Sequence, residues 1–229
     1  MPSRSTQHDI ASRRKWKRAS GFTLVEMSIV LMIIGLLLGG ILKGQELINS
    51  AKTRHLSQEF LAVQIAFYAY QDRYKAVAGD NPKASAADGR ATAATTPPNK
   101  AGNGHIDGEW DSAIASDESF LFWQHVRLAG LLAGPPGTEE ADYLPQTLFG
   151  SKMGISSTAP ISAPTAMPGS FNICASDIPG RFARQMDMQN DDGNTQTGAV
   201  RVADPTSPSV ALPASAVADG EKYLLCAVF

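Results

Sequence analysis

One carboxylate stands inside an apolar stretch where a charge is unfavourable. Glu26 lies within residues 22–42, a run that carries no other charged side chain. At membrane depth such a group costs on the order of 3 kcal/mol unless a cation offsets it. Proteolysis could supply that cation: cutting between Gly21 and Phe22 would create an α-amino group on Phe22, close to Glu26 on the same chain or on a neighbouring copy. Two other groups of residues could do chemistry. Cys174 and Cys226 are the only cysteines. Across residues 102–111, Asn103, Asp107, Glu109 and Asp111 space side-chain oxygens along a glycine-rich stretch that could wrap a hard cation such as calcium. That stretch lacks the spacing of an EF-hand loop, and a solvated acidic turn accounts for it without an ion.

The elements that position Glu26 are legible from composition. Residues 22–42 would span about 30 Å as a helix, the thickness of a bilayer's hydrocarbon core. A basic run precedes them, Arg4, Arg13, Arg14, Lys15, Lys17 and Arg18, opposed only by Asp9. Basic flanks resist translocation, which places residues 1–21 in the cytoplasm and everything after Leu42 outside. A cleaved secretory signal is the rival, but its apolar region is shorter and ends in a small-residue site, whereas Lys43-Gly44-Gln45-Glu46 follows here. Leu56, Phe60, Val63, Phe67, Tyr70 and Tyr74 then recur at helical spacing, so residues 43–78 read as an amphipathic continuation of the helix. The alternative is an unrelated core helix after a break near Gly44, since Gly35, Gly39, Gly40 and Gly44 all lower helix propensity. Those glycines would also let helices approach closely.

Gly79-Asp80-Asn81-Pro82 is a stop signal, and residues 79–229 form the remaining globular domain. Residues 84–101 and 155–168 are Ala/Ser/Thr/Pro-rich and read as surface loops. Between them, Ser116-Asp117-Glu118-Ser119 offers a cap and acids for a short helix reaching about Leu132. Phe120, Phe122, Trp123 and Trp110 could form a ligand platform, although aromatics on a short helix more often pack a core. Strand candidates are residues 170–174, 198–202 and 222–229, with a helical turn or two around residues 182–188. Asp191-Asp192-Gly193-Asn194 reads as a tight turn. The expected fold is α+β: a long amino-terminal helix, transmembrane then amphipathic, packed on a small antiparallel sheet with long loops.

Charge depends on processing. The 229-residue chain has a formal charge of −2, but its first 21 residues hold six of the 20 Lys+Arg and one of the 22 Asp+Glu, leaving 14 against 21, or −7. That balance argues against nucleic-acid binding through bulk charge. In an exported compartment the even cysteine pair reads as a disulfide, with two separate buried thiols as the alternative.

Gly21-Phe22-Thr23-Leu24-Val25-Glu26 followed by an apolar helix resembles the type IV prepilin and type II secretion pseudopilin signature. The resemblance implies cleavage after Gly21 by a prepilin peptidase, N-methylation of Phe22, and contact between Glu26 and the amino terminus of an adjacent subunit. It further implies a single-pass precursor in the bacterial inner membrane, with other pilin or pseudopilin subunits and the inner-membrane assembly machinery as partners. The product would be a filament in the periplasm or on the cell surface. The leader is long for this family, and no proline interrupts the helix where many major pilins carry one. The competing class is a monomeric membrane-anchored binding module in which Glu26 is incidental. An anchored hydrolase is a third, without support from a G-x-S-x-G elbow, an H-E-x-x-H helix or a phosphate-binding loop, and with His8, His55, His105 and His125 scattered. No cofactor is expected beyond the calcium considered above.

Overall fold

A computed structural model describes residues 21–85, 94–98 and 101–229. The basic leader, including Asp9 and His8, lies outside the described residues. Helix α1 (Leu24–Tyr74) is one uninterrupted element; no break occurs at Gly44, whose helical neighbours keep their hydrogen bonding despite four glycines. The chain divides into two compact units, residues 1–46 and 47–229.

In the second unit the aromatic and aliphatic stripe of α1 is covered as its spacing requires. Leu56, Phe60, Val63, Phe67 and Tyr70 are buried, joined by Ala66, while Tyr74 is half-buried. The helix ends at Tyr74, four residues short of the expected 78. Lys75 adopts a left-handed φ of +54° and closes the last turn by donating its N–H to the Gln71 carbonyl. Gly79 serves another purpose: at φ +89° it passes so close to the Glu118 carbonyl that a Cβ could not fit, and its N–H donates to His125 Nδ1.

Helix α2 (Glu118–Leu128) presents Phe120, Leu121, Phe122 and Trp123 to the core, so these aromatics are packing residues and not a ligand platform. It stops before the expected Leu132, with Ala129 as cap and Gly130 left-handed. Its acids do not cap it by side-chain hydrogen bonds: Asp117 accepts from the Ser112 hydroxyl, and Glu118 is drawn inward to the N–H of Asp107.

The sheet has five strands where sequence suggested three. Strands β1 (Met153–Ser156), β2 (Asn172–Pro179), β3 (Val200–Asp204), β4 (Ser207–Ala211) and β5 (Lys222–Val228) assemble antiparallel in the order β1-β2-β5-β3-β4. Helix α3 (Gly180–Asn190) connects β2 to β3. Alternating side chains divide the interior. Ile173, Ala175, Val202 and Leu225 face a main core shared with α1 and α2, whereas Cys174, Ala203, Leu224 and Cys226 face a smaller one. That second face is closed by Ile161 and Met167 from residues 155–168. This stretch is therefore no mere surface loop: its first residues belong to β1, and Ala163 bridges to Val210. The arrangement is an α+β fold consistent with a pilin-like architecture.

Candidate functional site

At the start of α1, Thr23 and Glu26 form a reciprocal cap. The Thr23 backbone N–H and hydroxyl both donate to Glu26 Oε2, at 2.8 and 2.7 Å, and the Glu26 N–H faces Thr23 Oγ1 at 3.2 Å. This is the capping box of a T-x-x-E sequence, which satisfies donors that a helix amino terminus otherwise leaves open and places a negative group at the positive end of the dipole. Glu26 thus has a partner within its own chain. The T-x-x-E spacing of Thr23 and Glu26 is itself the sequence signal for this cap.

Every large apolar side chain from Phe22 to Leu42 is exposed in the isolated chain, Phe22 itself by 77 %. A helix apolar on all sides is at rest only in lipid or among other helices. The Gly35/Gly39 and Gly40/Gly44 pairs sit one turn apart, and a Cβ built at any of them meets nothing. They leave flat patches on which another helix backbone can settle. This apolar helix fits the membrane anchoring expected of a prepilin.

Cys174 and Cys226 face each other across β2 and β5 in register, with Cα atoms 4.1 Å apart, and are joined by a disulfide. The bond staples the central strand β5 to its neighbour β2 from the face covered by residues 155–168.

The residues considered for calcium are not gathered around a cavity. Asn103 Oδ1 accepts the His105 N–H at 2.7 Å and its amide donates to Asp107 Oδ2 at 3.2 Å, while the exposed Glu109 and Asp111 line a groove together with Pro160, Pro205 and Pro208. Asp80 organises this stretch. Its buried carboxylate accepts the backbone N–H groups of Gly102, of Asn103 at 3.2 Å and of Gly104 at 2.7 Å. Beside it the Glu118 carboxyl is pushed up to about 7, chiefly by burial, with the charges of Asp80 and Asp107 adding to it. His125 is a core strut: burial holds it down to about 4, Nδ1 accepts from Gly79, and Nε2 lies 2.8 Å from the Thr95 carbonyl. The described residues contain one acidic cluster whose ligand atoms do converge: Asp187, from the helical turns expected around residues 182–188, with Asp191 and Asp192 of the segment read from sequence as a tight turn.

No curated protein and no solved structure matches this chain. Residues 16–42 match the prokaryotic N-terminal methylation motif, and that segment includes the Gly21-Phe22 junction, the Thr23–Glu26 cap and the exposed apolar turns just described. The chain therefore carries the prepilin-type cleavage and methylation signal.

Proposed function

We propose that the protein is the precursor of a filament subunit, cut after Gly21, N-methylated on Phe22 and polymerised through its apolar helix into a type II secretion pseudopilus or a type IV pilus. The precursor sits in the inner membrane with its basic leader in the cytoplasm and residues 43–229 on the other side. Prepilin peptidase, other pilin or pseudopilin subunits and the inner-membrane assembly machinery are its partners, and its role is structural. One observation carries the reading: the methylation motif coincides with a helix whose large apolar side chains are all exposed up to Leu42 and with a carboxylate about one turn from the cleavage point. In the assembled state the new Phe22 ammonium of one subunit would neutralise Glu26 of another.

The capping box favours a second reading, the solitary anchor, because it gives Glu26 a role that needs no neighbour. Glu26→Gln separates the two. Glutamine also completes a capping box but carries no charge, so a mere anchor should be unaffected. A filament subunit should still be membrane-inserted and cut, yet lose incorporation into sheared or detergent-released filaments by about tenfold or more, since a lost ion pair of about 1.4 kcal/mol already changes an equilibrium tenfold. Normal incorporation of the variant would sink the proposal, as would mass spectrometry showing a mature amino terminus other than methylated Phe22.

A further inference from the structure

Three aspartates converge where α3 gives way to β3. Asp187 lies in the last turn of α3, Asp191 caps that helix, and Asp192 opens the following turn. One oxygen from each lies within 4.8 Å of the others. The loop holds two of them in place. Asp191 Oδ2 accepts the Val200 N–H at 2.8 Å, and Asp192 accepts the Asn194 N–H at 2.8 Å and the Thr197 hydroxyl at 2.6 Å. Gly198, at φ +72°, passes so close to the Asp191 carboxylate that a Cβ would overlap it.

Asp187 is the group without an explanation. It is 0 % exposed, and neither of its oxygens has a hydrogen-bond partner among the described residues. A buried carboxylate left in that condition is strongly unfavourable. Its setting makes matters worse: it sits at the negative end of a helix whose last turn has no basic residue, with two more carboxylates nearby. Burial, then the charges of Asp192 and Asp191, push its carboxyl up to about 7. The guanidinium of Arg201, whose charge reaches Asp192, directs its donors to the Thr165, Ala166 and Gly198 carbonyls and the Thr165 hydroxyl. It does not neutralise the cluster.

We propose that Asp187, Asp191 and Asp192 bind a hard divalent cation that ties the end of α3 to the start of β3. The donors are all oxygens, which select calcium or magnesium over softer metals. Two oxygens bound to one calcium at about 2.4 Å can be no more than about 4.8 Å apart, so the spacing suits a single ion. The ion would supply the missing partner of Asp187 and offset the three like charges. It would also steady the contact of α3 with α1, where Thr53 donates to Gln185 at 2.9 Å and Asn190 to Ser57 at 2.8 Å. This site is independent of the amino-terminal reading and of residues 102–111.

The test is thermal unfolding of the detergent-solubilised full chain, stripped with chelator and then given calcium or magnesium. Ion at ~100 times its Kd should raise the Tm by about 5 °C or more, chelator should reverse the rise, and Asp187→Asn should abolish it while melting no lower than the stripped wild type. Asp192→Asn provides the same comparison if the first variant does not fold. A response to magnesium alone assigns the site to the smaller ion and supports the proposal. Three outcomes overturn it: no shift and no calorimetric heat with either ion, a shift retained in both variants, or a shift removed by Glu109→Gln/Asp111→Asn and kept in Asp187→Asn.

Discussion

From Leu24 to Leu42 the large apolar side chains of α1 are all exposed, whereas from Leu56 to Tyr70 the same helix hides a full stripe. Both stretches are apolar, and they differ in pattern. The first is apolar on every side and can be satisfied only from outside the molecule. The second confines its large residues to one face and opposes polar or small residues to them, so a single domain can cover it. The lesson concerns where stability is stored. Residues 47–229 hold their own core, disulfide and capped turns, while the amino-terminal stretch contributes cohesion only once lipid or neighbouring helices surround it.

The largest effect that sharpens this contrast comes from the disulfide. Replacing Cys174 and Cys226 with serine opens a link between residues 52 apart, and the chain-entropy model puts the loss near 4 kcal/mol. Urea unfolding of the full chain in detergent should show a much lower midpoint for the globular unit, with membrane insertion unchanged. A midpoint that stays put would mean that the sheet does not depend on the staple. Next comes a matched pair on one helix. Leu56→Ala removes a fully buried side chain and should cost about 3 kcal/mol; Leu37→Ala, at a position 59 % exposed, should leave the same midpoint unmoved. Equal effects from the two would erase the distinction between the regions.

Patterns that depend on local spacing could be read directly. The apolar run, the stripe from Leu56 to Tyr74 and the cores of β2, β3 and β5 all follow from residue order, since their side chains meet partners that period and hydropathy predict. The edges of the sheet could not. β1 is only four residues long, and β4, Ser207-Pro208-Ser209-Val210-Ala211, is exposed except at its end and contains proline, which an edge strand tolerates. Residues 155–168 announce irregular backbone by composition, but that says nothing of burial; only Ile161 and Met167 hint that the stretch covers a sheet face. The oxygen-rich residues 102–111 show the same limit in their backbone. The N–H groups of Gly102, Asn103 and Gly104 are held by Asp80, more than twenty positions earlier, a partner that no local spacing reveals. Asp187 is hidden in the same way, because its isolation is a property of burial.

The smallest expected effect turns on the contrast between two glutamates. Glu26 is exposed and its cap lies within one helical turn; Glu118 is buried, accepts the Asp107 N–H through one oxygen, and leaves the other without a partner among the described residues. With its carboxyl near 7 in the fold and about 4.5 when unfolded, Glu118 takes up a proton on folding between those two values. Stability must therefore fall as pH rises across that window, and level off above it. His125, held down to about 4, works in the opposite sense by losing stability as pH drops below about 6.5, and Asp187 shares the sign of Glu118. A subtraction isolates the group of interest: Glu118→Gln keeps an oxygen for the Asp107 N–H but cannot ionise, while His125 and Asp187 are common to both proteins. Relative to the variant, the wild type should lose on the order of 2 kcal/mol between about pH 5 and about pH 8, read from urea midpoints at each. A gap that is the same at both pH values would mean that Glu118 is ionised throughout, with the repulsion from Asp80 and Asp107 already offset elsewhere in the domain.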